Sequence, residues 1–515
     1  MRPVQPHRKK HEKSFTRSKR IEIVMQEDSL NYRSSGVDVE AYNRASAQIK
    51  AHIQDTFGSQ ILTRAGLFGA AISLKEYGEK LNRPLLSGSL GVGNSIVDDE
   101  LAGQIVHSCR ASLPPSAQPI AFLDYIAAAQ LDLTRAVGLV GSFSRILSRD
   151  PKIPMVGGET AEMPGVFPEN CWEVVGAMFA VQEASALQHV PAAVDLEAEA
   201  GAALSHPALV FSMDGVGTKT KVGVMTRRTA GLALDIIHHS LNDILCQGAR
   251  GIGLMLYIGC HERDEQLIRP LLAAAEKCCR SNGLVLLDRV VAKRAELYLS
   301  GEIDLCAAIA GSVDADHLIQ GDTIRRGDRI IGLTSSGLHT NGYSLARKAL
   351  LERGGLRLDQ HIGELGCSLG EALLEPHRNY APVVLSLLDD AELAPAIKGI
   401  AHITGGGLKD NLGRILPRKL GADIQLNSWQ PPPIYDLIRR KGNIPLEDPV
   451  GKGMYESFNM GIGLVLVVAP KYNDRLLEMI QDGGCQALVI GRVVDRPVAS
   501  QGQRPAEPSE RVRLL

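Results

Sequence analysis

Short apolar runs alternate with amphipathic stretches of helical periodicity along most of the chain. Residues 208–211 form one such run before a glycine-rich turn, and residues 463–469 form another with the length of a buried strand. Runs of this kind predict strands, and a period near 3.6 residues predicts helices. Their alternation predicts an α/β protein built of α+β layers.

Two segments of similar layout predict an internal repeat. Each opens with an apolar strand that enters a Gly-Val-Gly turn, at residues 91–93 and 215–217, and continues as helix, strand and second helix. The predicted segments are a basic disordered tail (1–30), a first unit (31–185), a linker (186–206), a second unit (207–320), a third unit (321–497) and a frayed polar tail (498–515).

Length, charge and cysteine use narrow the function classes. A chain of 515 residues is too long for one ordinary core and fits about three domains. A net charge of −2 argues against nucleic-acid binding by the whole chain, although the basic tail leaves contact with RNA or an acidic surface open. The nine cysteines form no CxxC pair, which favours the cytoplasm. No apolar run of about 18 residues predicts a membrane span.

The clearest chemical signal is the string Asp-Gly-Val-Gly-Thr-Lys at residues 214–219. Carboxylate oxygens suit Mg²⁺, and the backbone amides of a glycine-rich turn suit phosphate oxygens. Lys219 would add a positive charge. The alternative is a tight turn that carries a solvated lysine.

Five further strings carry a resemblance to a known family. They are Val-Gly-Gly-Glu-Thr-Ala-Glu-Met-Pro-Gly at 156–165, Phe-Leu-Asp-Tyr at 122–125, Ser-Ser-Gly-Leu-His-Thr-Asn-Gly at 335–342, His-Ile-Thr-Gly-Gly-Gly at 402–407 and Met-Tyr-Glu-Ser-Phe-Asn-Met-Gly at 454–461. With residues 214–219, these strings resemble the phosphoribosylformylglycinamidine cyclo-ligases, also called aminoimidazole ribonucleotide synthetases. The resemblance extends over roughly residues 30 to 495.

The resemblance implies an unusual domain arrangement. In the family each subunit has one N-terminal and one C-terminal domain, and two subunits join their N-terminal sheets into a barrel. This chain has two N-terminal-like units and one C-terminal-like unit. We therefore expect tandem cyclo-ligase-type N-terminal domains that form an internal pseudo-dimer barrel, plus one α/β C-terminal domain. A further homodimer stays open.

The two N-terminal-like units depart from the family pattern in different places. The first has Leu90 and Ser95 where the family has Asp and Lys, but it retains the Gly-Gly-Glu-Thr string at 157–160. The second retains Asp214, Lys219 and the pair Asn242 and Asp243. These reciprocal losses predict one composite site that draws on both units. The alternative is that both units are scaffolds without a complete site.

The reaction implied by the resemblance uses ATP and Mg²⁺ to cyclise formylglycinamidine ribonucleotide to aminoimidazole ribonucleotide in purine biosynthesis. The candidate catalytic residues are Asp214, Lys219, Glu159 and His339, and the candidate metal ligands are Asp214 and Asp243. The candidate ATP-binding residues are Gly215, Gly217, Thr218, Asn242, Gly157, Gly158 and Thr160. The candidate substrate-binding residues are Ser336, Gly337, Asn341, His402, Thr404 and Gly405.

Two other functions fit the same motifs. One is ATP-dependent phosphoryl transfer to a different acceptor, and the other is a non-catalytic nucleotide-binding paralogue. The third-unit strings favour the cyclo-ligase. An insertion over 444–453 departs from the family pattern, and it is either a longer surface loop or a segment that reshapes substrate access.

Overall fold

The computed structural model describes residues 39–78, 84–93, 99–149, 151–183, 192–196, 198, 205–448, 453–496 and 507–515. The predicted basic tail over 1–30 and Ser95 lie outside these ranges, as do parts of the predicted linker and of the insertion at 444–453. Among the described residues, no helix has both the length and the apolar character needed to cross a membrane.

The first unit alternates helices and strands as the apolar pattern predicts. Its helices are α1 Val39–Asp55, α2 Lys75–Gly78, α3 Asp99–Ser112 and α4 Leu133–Leu147. Its strands are β1 Ala70–Ser73, β2 Pro84–Val92, β3 Gln118–Ala128, β4 Met155–Glu162 and β5 Trp172–Glu183, and β6 Val194–Asp195 follows within the predicted linker. The Asp132 side chain caps α4 by accepting hydrogen bonds from the Thr134 and Arg135 amides.

The second unit repeats this order. It contains β7 Pro207–Gly215, α5 Lys219–Thr226, α6 Ala230–Leu245, β8 Arg250–Cys260, α7 Glu265–Ser281, β9 Val285–Lys293 and β10 Ile303–Asp314, followed by a 3₁₀ turn at Ala315–His317. Asp264 caps α7 as Asp132 caps α4.

Each of these two units contributes most of one five-stranded sheet, and the two sheets have the same strand order. The first sheet runs β6-β2-β5-β3-β4, and the second runs β1-β7-β10-β8-β9. In both sheets only the outermost pair, β3 with β4 and β8 with β9, is parallel. The strand order therefore agrees with the predicted repeat of layout.

The short edge strands cross from one unit to the other. β1 precedes the first sheet in sequence but pairs with β7, and β6 precedes the second sheet but pairs with β2. The predicted boundaries at 185 and 207 therefore do not show to which sheet these two strands belong. Pairing at an edge depends on which strand lies nearest in space, and local periodicity does not encode that.

The two sheets pack face to face with helices on their outer faces. Alternate residues along a strand point to opposite faces, so each sheet has one face toward the other sheet and one toward its helices. Phe179 of β5 and Phe211 of β7 meet in the shared core, with ring centroids 4.8 Å apart. Within the described residues no strand pairing joins the two sheets, so they form layers and not the expected hydrogen-bonded barrel.

Two buried tyrosine–carboxylate pairs cross the shared core in matching positions. Tyr125 of β3 donates to Asp304 of β10, and Tyr257 of β8 donates to Glu173 of β5, each over 2.8 Å. Burial raises the pKa of Asp304 to about 6 and that of Glu173 to about 7. Each pair gives a hydrogen-bond partner to polar groups that the packing of the sheets removes from water.

The third unit is an α/β domain, as predicted. Its strands are β11 Arg329–Thr334, β12 His361–Ile362, β13 Cys367–Ser368, β14 Ile397–His402, β15 Leu420–Ile424, β16 Ile462–Val468, β17 Ala487–Asp495 and β18 Val512–Leu514. Its helices are α8 Tyr343–Arg347, continued as a π-helix over Lys348–Arg353, α9 Leu369–Leu374, α10 Ala381–Asp389, α11 Gly407–Ile415, α12 Pro433–Gly442, α13 Met454–Ser457 and α14 Asn473–Asp482.

The C-terminal residues belong to the third sheet, whose order is β14-β16-β11-β17-β15-β18. β18 pairs in parallel with β15, and the buried Val512 lies beside Ala422. The prediction of a frayed tail over 498–515 is therefore wrong for residues 507–515. The segment is mostly polar, so its composition did not indicate that Val512 is buried at the edge of the sheet.

We expect Asp304→Asn to reduce the pH dependence of stability. The folded-state pKa of Asp304, about 6, exceeds the ordinary value of 3.8, so the stability that protonation supplies is lost as pH rises through about 6. The difference corresponds to about 3 kcal/mol. Urea denaturation at pH 4.5 and 7.5 should show the variant gaining stability relative to wild type at the higher pH.

The exposed Asp482 provides the matched control. Asp482→Asn should leave the difference in the free energy of unfolding between pH 4.5 and pH 7.5 the same as in the wild-type protein. An equal pH dependence for wild type and Asp304→Asn would contradict the buried-carboxyl explanation.

Candidate functional site

The candidate site lies where β4 of the first sheet packs against β7 of the second. Gly217 has φ of 70° and turns the chain from β7 into α5, a backbone conformation that favours glycine. A Cβ on Gly158 would lie 1.9 Å from Asp124 Oδ1. Glycine at 158 therefore lets β4 lie directly beside the buried Asp124 of β3.

Three predicted carboxylates from both units come together here. Asp214 lies near the end of β7, Asp243 on α6 and Glu159 on β4. Removal from water and the negative charge of Asp214 raise the pKa of Glu159 well above its ordinary value, and Asp243 adds to this effect. The packing thus brings the acid of the first unit to the acids of the second.

His239 belongs to this cluster and was not predicted from the sequence. Its Nε2 atom lies 3.0 Å from Asp214 Oδ2 and 3.6 Å from Asp243 Oδ2. Burial lowers the pKa of His239, but the two carboxylates outweigh burial and raise that pKa to about 9. The four-residue spacing between His239 and Asp243 places both on one helix face, which is the signal that could have found it.

A chain of buried hydrogen bonds connects the carboxylates to the third unit. His402 Nδ1 lies 2.8 Å from Asp243 Oδ1, and His402 Nε2 lies 2.9 Å from His377 Nε2. Thr340 Oγ1 lies 3.5 Å from His377 Nδ1 and 2.9 Å from His239 Nδ1. His402 was predicted as a site residue, whereas no sequence motif pointed to His377.

His339 is part of this histidine cluster and not of a surface loop. Its ring stacks on His377 with centroids 3.9 Å apart, and its Nε2 accepts a hydrogen bond from the Ser336 amide. Burial lowers the pKa of both His339 and His377 well below the ordinary value, and neighbouring histidines add to this effect. Two neutral rings can therefore stack without charge repulsion. The role of His339 as a catalytic residue stays a prediction.

Lys219 is completely buried and uses all three of its N–H bonds within the protein. It donates to Asp235 Oδ1 at 2.8 Å, to the His339 carbonyl at 3.1 Å and to the Glu375 carbonyl at 2.7 Å. This arrangement corrects the expectation that Lys219 meets phosphate directly, because no N–H bond remains for a ligand. Lys219 instead holds the second unit against the third.

Asn242 has a similar structural position. Its Nδ2 donates to the Arg378 carbonyl at 2.8 Å, and its Oδ1 accepts from the Tyr380 amide at 3.0 Å. The side chain is fully buried. The structure therefore corrects its assignment as an ATP-binding residue, because both ends of the amide join α6 to the third unit.

The turn after β7 keeps the features expected of a phosphate loop. A Cβ added to Gly217 would meet only the Thr340 carbonyl, 3.8 Å away. The Gly215 amide donates to Asp214 Oδ1 at 2.6 Å, and Thr218 Oγ1 lies 3.0 Å from Ser344 Oγ. The half-buried Gly157 and Thr160 lie on β4, on the other side of the sheet junction.

The predicted substrate-binding residues fall into two groups. The Ser336 hydroxyl donates to the Pro376 carbonyl at 2.6 Å, and the Gly337 carbonyl accepts from the Tyr435 hydroxyl at 2.8 Å. These contacts hold the loop after β11 in place. In the second group, a Cβ on Gly405 would lie 3.5 Å from Asn341 Oδ1, and Thr404 follows His402 closely on the same loop. The structure therefore brings Asn341, His402, Thr404 and Gly405 together.

The two sheets share one strand order, so each residue of the candidate site has a matching position in the other sheet. The pairing register identifies the residues at these matching positions, which lie at the second end of the sheets. Tyr125 pairs with Glu159 on one side, and its counterpart Tyr257 pairs with Val290. Val290 therefore stands where the second end would need a counterpart of Glu159. An apolar side chain replaces the acid.

The same comparison corrects the assignment of Leu90. Asp214 pairs with Ala307 of β10, whose counterpart Gly176 of β5 pairs with Gly91. Gly91, and not Leu90, therefore occupies the position of Asp214. A Cβ there would lie 2.7 Å from Cys109 Sγ, because α3 packs directly on the strand. Leu90 instead faces the core between the sheets.

Comparisons with known proteins match the second and third units of the chain. "AIR synthase related protein, N-terminal domain" matches residues 198–313, and the corresponding C-terminal domain matches residues 325–501. Phosphoribosylformylglycinamidine cyclo-ligase of Alkaliphilus metalliredigens is 36% identical over 291 residues, which cover 56% of this chain and 81% of the relative. That of Geobacillus thermodenitrificans is 39% identical over 289 residues, with the same coverage.

Solved structures match this chain only at low similarity. Thiamine-monophosphate kinase from Stenotrophomonas maltophilia is 17% identical with a TM-score of 0.43, over 60% of this chain and 85% of that one. This likeness is too weak to support a functional argument. The two matched domains and the sequence relatives place this chain in the phosphoribosylformylglycinamidine cyclo-ligase family.

Proposed function

We propose that this protein cyclises formylglycinamidine ribonucleotide to aminoimidazole ribonucleotide with consumption of ATP. The observation that carries the proposal is that β4, which carries Glu159, packs against β7, which carries Asp214 and whose Ser212 donates to Asp243. The third-unit loop with His402, Thr404 and Gly405 lies beside these acids, since His402 contacts Asp243.

The chemistry needs positioning and charge stabilisation more than covalent participation by the protein. The formamide oxygen of the substrate takes the γ-phosphoryl group of ATP, and ADP leaves. The amidine nitrogen that closes the ring then attacks the same carbon, the C–O bond breaks, and phosphate departs with that oxygen. A proton must leave the attacking nitrogen.

The donor set fits a divalent cation such as Mg²⁺. Three carboxylates supply the oxygen ligands that Mg²⁺ prefers, and the Asp214 side chain keeps 23% of its surface exposed toward a ligand. A bound cation would neutralise charge that develops on phosphate oxygens. The Gly217 and Thr218 amides of this turn would orient the polyphosphate, whereas the Gly215 amide already donates to Asp214 Oδ1.

The tandem units act, in this proposal, as an internal pseudo-dimer that arose by duplication. The equal strand order of the two sheets and the reciprocal exchange of β1 and β6 support it. A covalent link keeps the two sheets together at any protein concentration. Gly91 and Val290 occupy the positions of Asp214 and Glu159 at the second end, so we propose one composite site per chain.

All nine cysteines are free thiols in the structure. Most of them are buried, including Cys109, Cys246, Cys260, Cys278 and Cys306. Free thiols are typical of a reducing compartment. This supports the proposal of a cytoplasmic enzyme.

ADP release with and without formylglycinamidine ribonucleotide tests the reaction. With Mg-ATP and purified full-length protein, we expect ADP formation to depend strongly on that substrate, because the phosphoryl acceptor is its formamide oxygen. ATP binding without substrate-dependent release would point to another acceptor or to a regulatory protein. Absence of nucleotide binding would show that neither end of the sheets holds ATP.

Substitutions at the composite site test which unit supplies the chemistry. Asp214→Asn should reduce turnover about 100-fold or more, because it removes a charge that faces the phosphate. Glu159→Gln should reduce turnover about 10- to 100-fold. Steady-state kinetics of both variants, with urea denaturation to check folding, would measure these effects.

Asp288 of β9 is the matched control for both variants. It lies at the second end of the sheets, where its Oδ2 accepts a hydrogen bond from the Leu90 amide at 2.8 Å. Asp288→Asn retains an acceptor oxygen and should leave turnover within about twofold of wild type. Unchanged kinetics in Glu159→Gln would mean that the first unit is only a scaffold.

A further inference from the structure

The strongest unassigned feature is a cleft at one edge of the third sheet, where β15 lies between β17 and β18. Its volume is about 270 Å³, and it is lined by Gly421, Val494, Asp495, Arg496, Arg511 and Arg513. Three of these six residues are arginines, and they come from two separate segments of the chain. The cleft therefore concentrates positive charge at a place that the proposed reaction does not use.

Two of the arginines have buried N–H groups without a partner. Within the described part of the chain, Arg496 Nη1 and Arg511 Nε are buried and have no hydrogen-bond acceptor. Arg511 keeps one contact, since its Nη1 donates to the Leu416 carbonyl at 2.7 Å. A buried N–H of a charged group is costly when neither water nor an acceptor meets it. These two groups therefore fit a ligand that supplies acceptor oxygens.

The carboxylates beside the cleft are already bound to other arginines. Arg513 donates to both oxygens of Asp423, at 2.8 and 2.9 Å. Arg326 lies 3.3 Å from the carboxylate of Asp495. Neither carboxylate is thus left to balance the two unpartnered guanidinium groups.

The cleft also carries repulsion between like charges. Burial lowers the pKa of Arg511. Neighbouring positive charges lower this pKa further, and they belong to Arg64, Arg496 and Arg418. Asp410 opposes the effect only in part. An anion bound among these groups would relieve the repulsion.

Gly421 of β15 shapes the floor of the cleft. A Cβ there would lie 2.7 Å from the Arg511 carbonyl oxygen and 3.6 Å from Arg496 Cδ. Glycine at this position therefore lets both arginines approach the strand. The backbone of Arg496 is fixed in the same place, since its amide donates to the Lys419 carbonyl at 3.0 Å. The backbone, and not the arginine side chains, thus holds the cleft in shape.

We propose that this cleft binds the phosphate group of a small molecule between the guanidinium groups of Arg496 and Arg511. Guanidinium groups match the geometry of phosphate oxygens and bind them through charge-assisted hydrogen bonds. A phosphate group carries a charge of about −1.5 to −2 at pH 7, which balances two unpaired arginines. None of the lining residues belongs to the carboxylate site, so the phosphate site is independent of the proposed function.

Free phosphate and a phosphate ester share the chemistry that the cleft recognises. The Arg513 side chain at the cleft is 65% exposed, so the cleft opens to solvent and has room for the organic part of an ester. Titration with inorganic phosphate and with glycerol phosphate distinguishes the two sources. Tighter binding of glycerol phosphate would identify an ester as the ligand, and tighter binding of inorganic phosphate would identify the free ion.

Isothermal titration calorimetry of the full-length protein with inorganic phosphate, in chloride buffer at pH 7.5, tests the site. We expect the wild-type protein to bind phosphate and Arg496→Gln to bind it at least about tenfold more weakly, because one of two guanidinium groups is lost. Absence of phosphate binding by the wild-type protein would overturn the proposal. Unchanged binding in Arg496→Gln would place the phosphate elsewhere, such as at the turn after β7, and would also overturn it.

Thermal unfolding separates ligand binding from a structural role of Arg496. Without phosphate, Arg496→Gln should raise the midpoint of unfolding by about 2 °C, because an unpartnered charge leaves the cleft. Added phosphate should raise the midpoint of the wild-type protein and not that of the variant. A lower midpoint in the variant, together with unchanged phosphate binding, would assign Arg496 a structural role and contradict the phosphate site.

Arg269→Gln is the matched control. Arg269 is an exposed arginine of α7 and is not among the residues that line the cleft. This variant removes the same charge, so the affinity for phosphate should stay within about twofold of wild type. A tenfold loss in this control would show that net charge alone governs phosphate binding, which would refute a specific site.

Discussion

The burial of two apolar sheet faces against each other is the constraint on which the rest of the structure depends. The free energy gained by burying apolar groups is proportional to the apolar area removed from water. Neither sheet could therefore be stable with its inner face exposed. This packing brings β4 to β7 and so places Glu159 beside Asp214. The polar groups that cross the same core, Tyr125 with Asp304 and Tyr257 with Glu173, are paired because unpaired groups there would be costly.

The two ends of this sandwich differ although the sheets share one strand order. At the end with β7, Asp214 lies on the strand, and His239 and Asp243 lie on α6. At the opposite end α3 packs on Gly91 and leaves no room for a side chain. A symmetric fold thus contains one asymmetric site.

The third unit positions the carboxylates as much as the first two do. Lys219 and Asn242 of the second unit direct all their hydrogen bonds into this domain or toward Asp235, which in turn accepts from the His377 amide. Removing one partner of such a buried ion pair would leave an uncompensated charge. One hydrogen-bond network therefore joins the substrate loops to the metal-site candidates, and a variant within it is expected to affect both.

Local chemistry along the chain determined the alternation of strands and helices, the repeated layout of two units and the candidate acid Asp214, because periodicity and turn residues act over a few neighbouring positions. The candidates Asp243 and Glu159 came from the family resemblance. His239 was within reach of the same reasoning, four residues before Asp243 on one helix face. Only the tertiary structure decided the exchange of β1 and β6 and the inward direction of Lys219. It also decided that His377 belongs to the histidine cluster and that Gly91 matches Asp214. Each of these depends on contacts between residues far apart in sequence, and their energies are set by packing that local patterns do not encode.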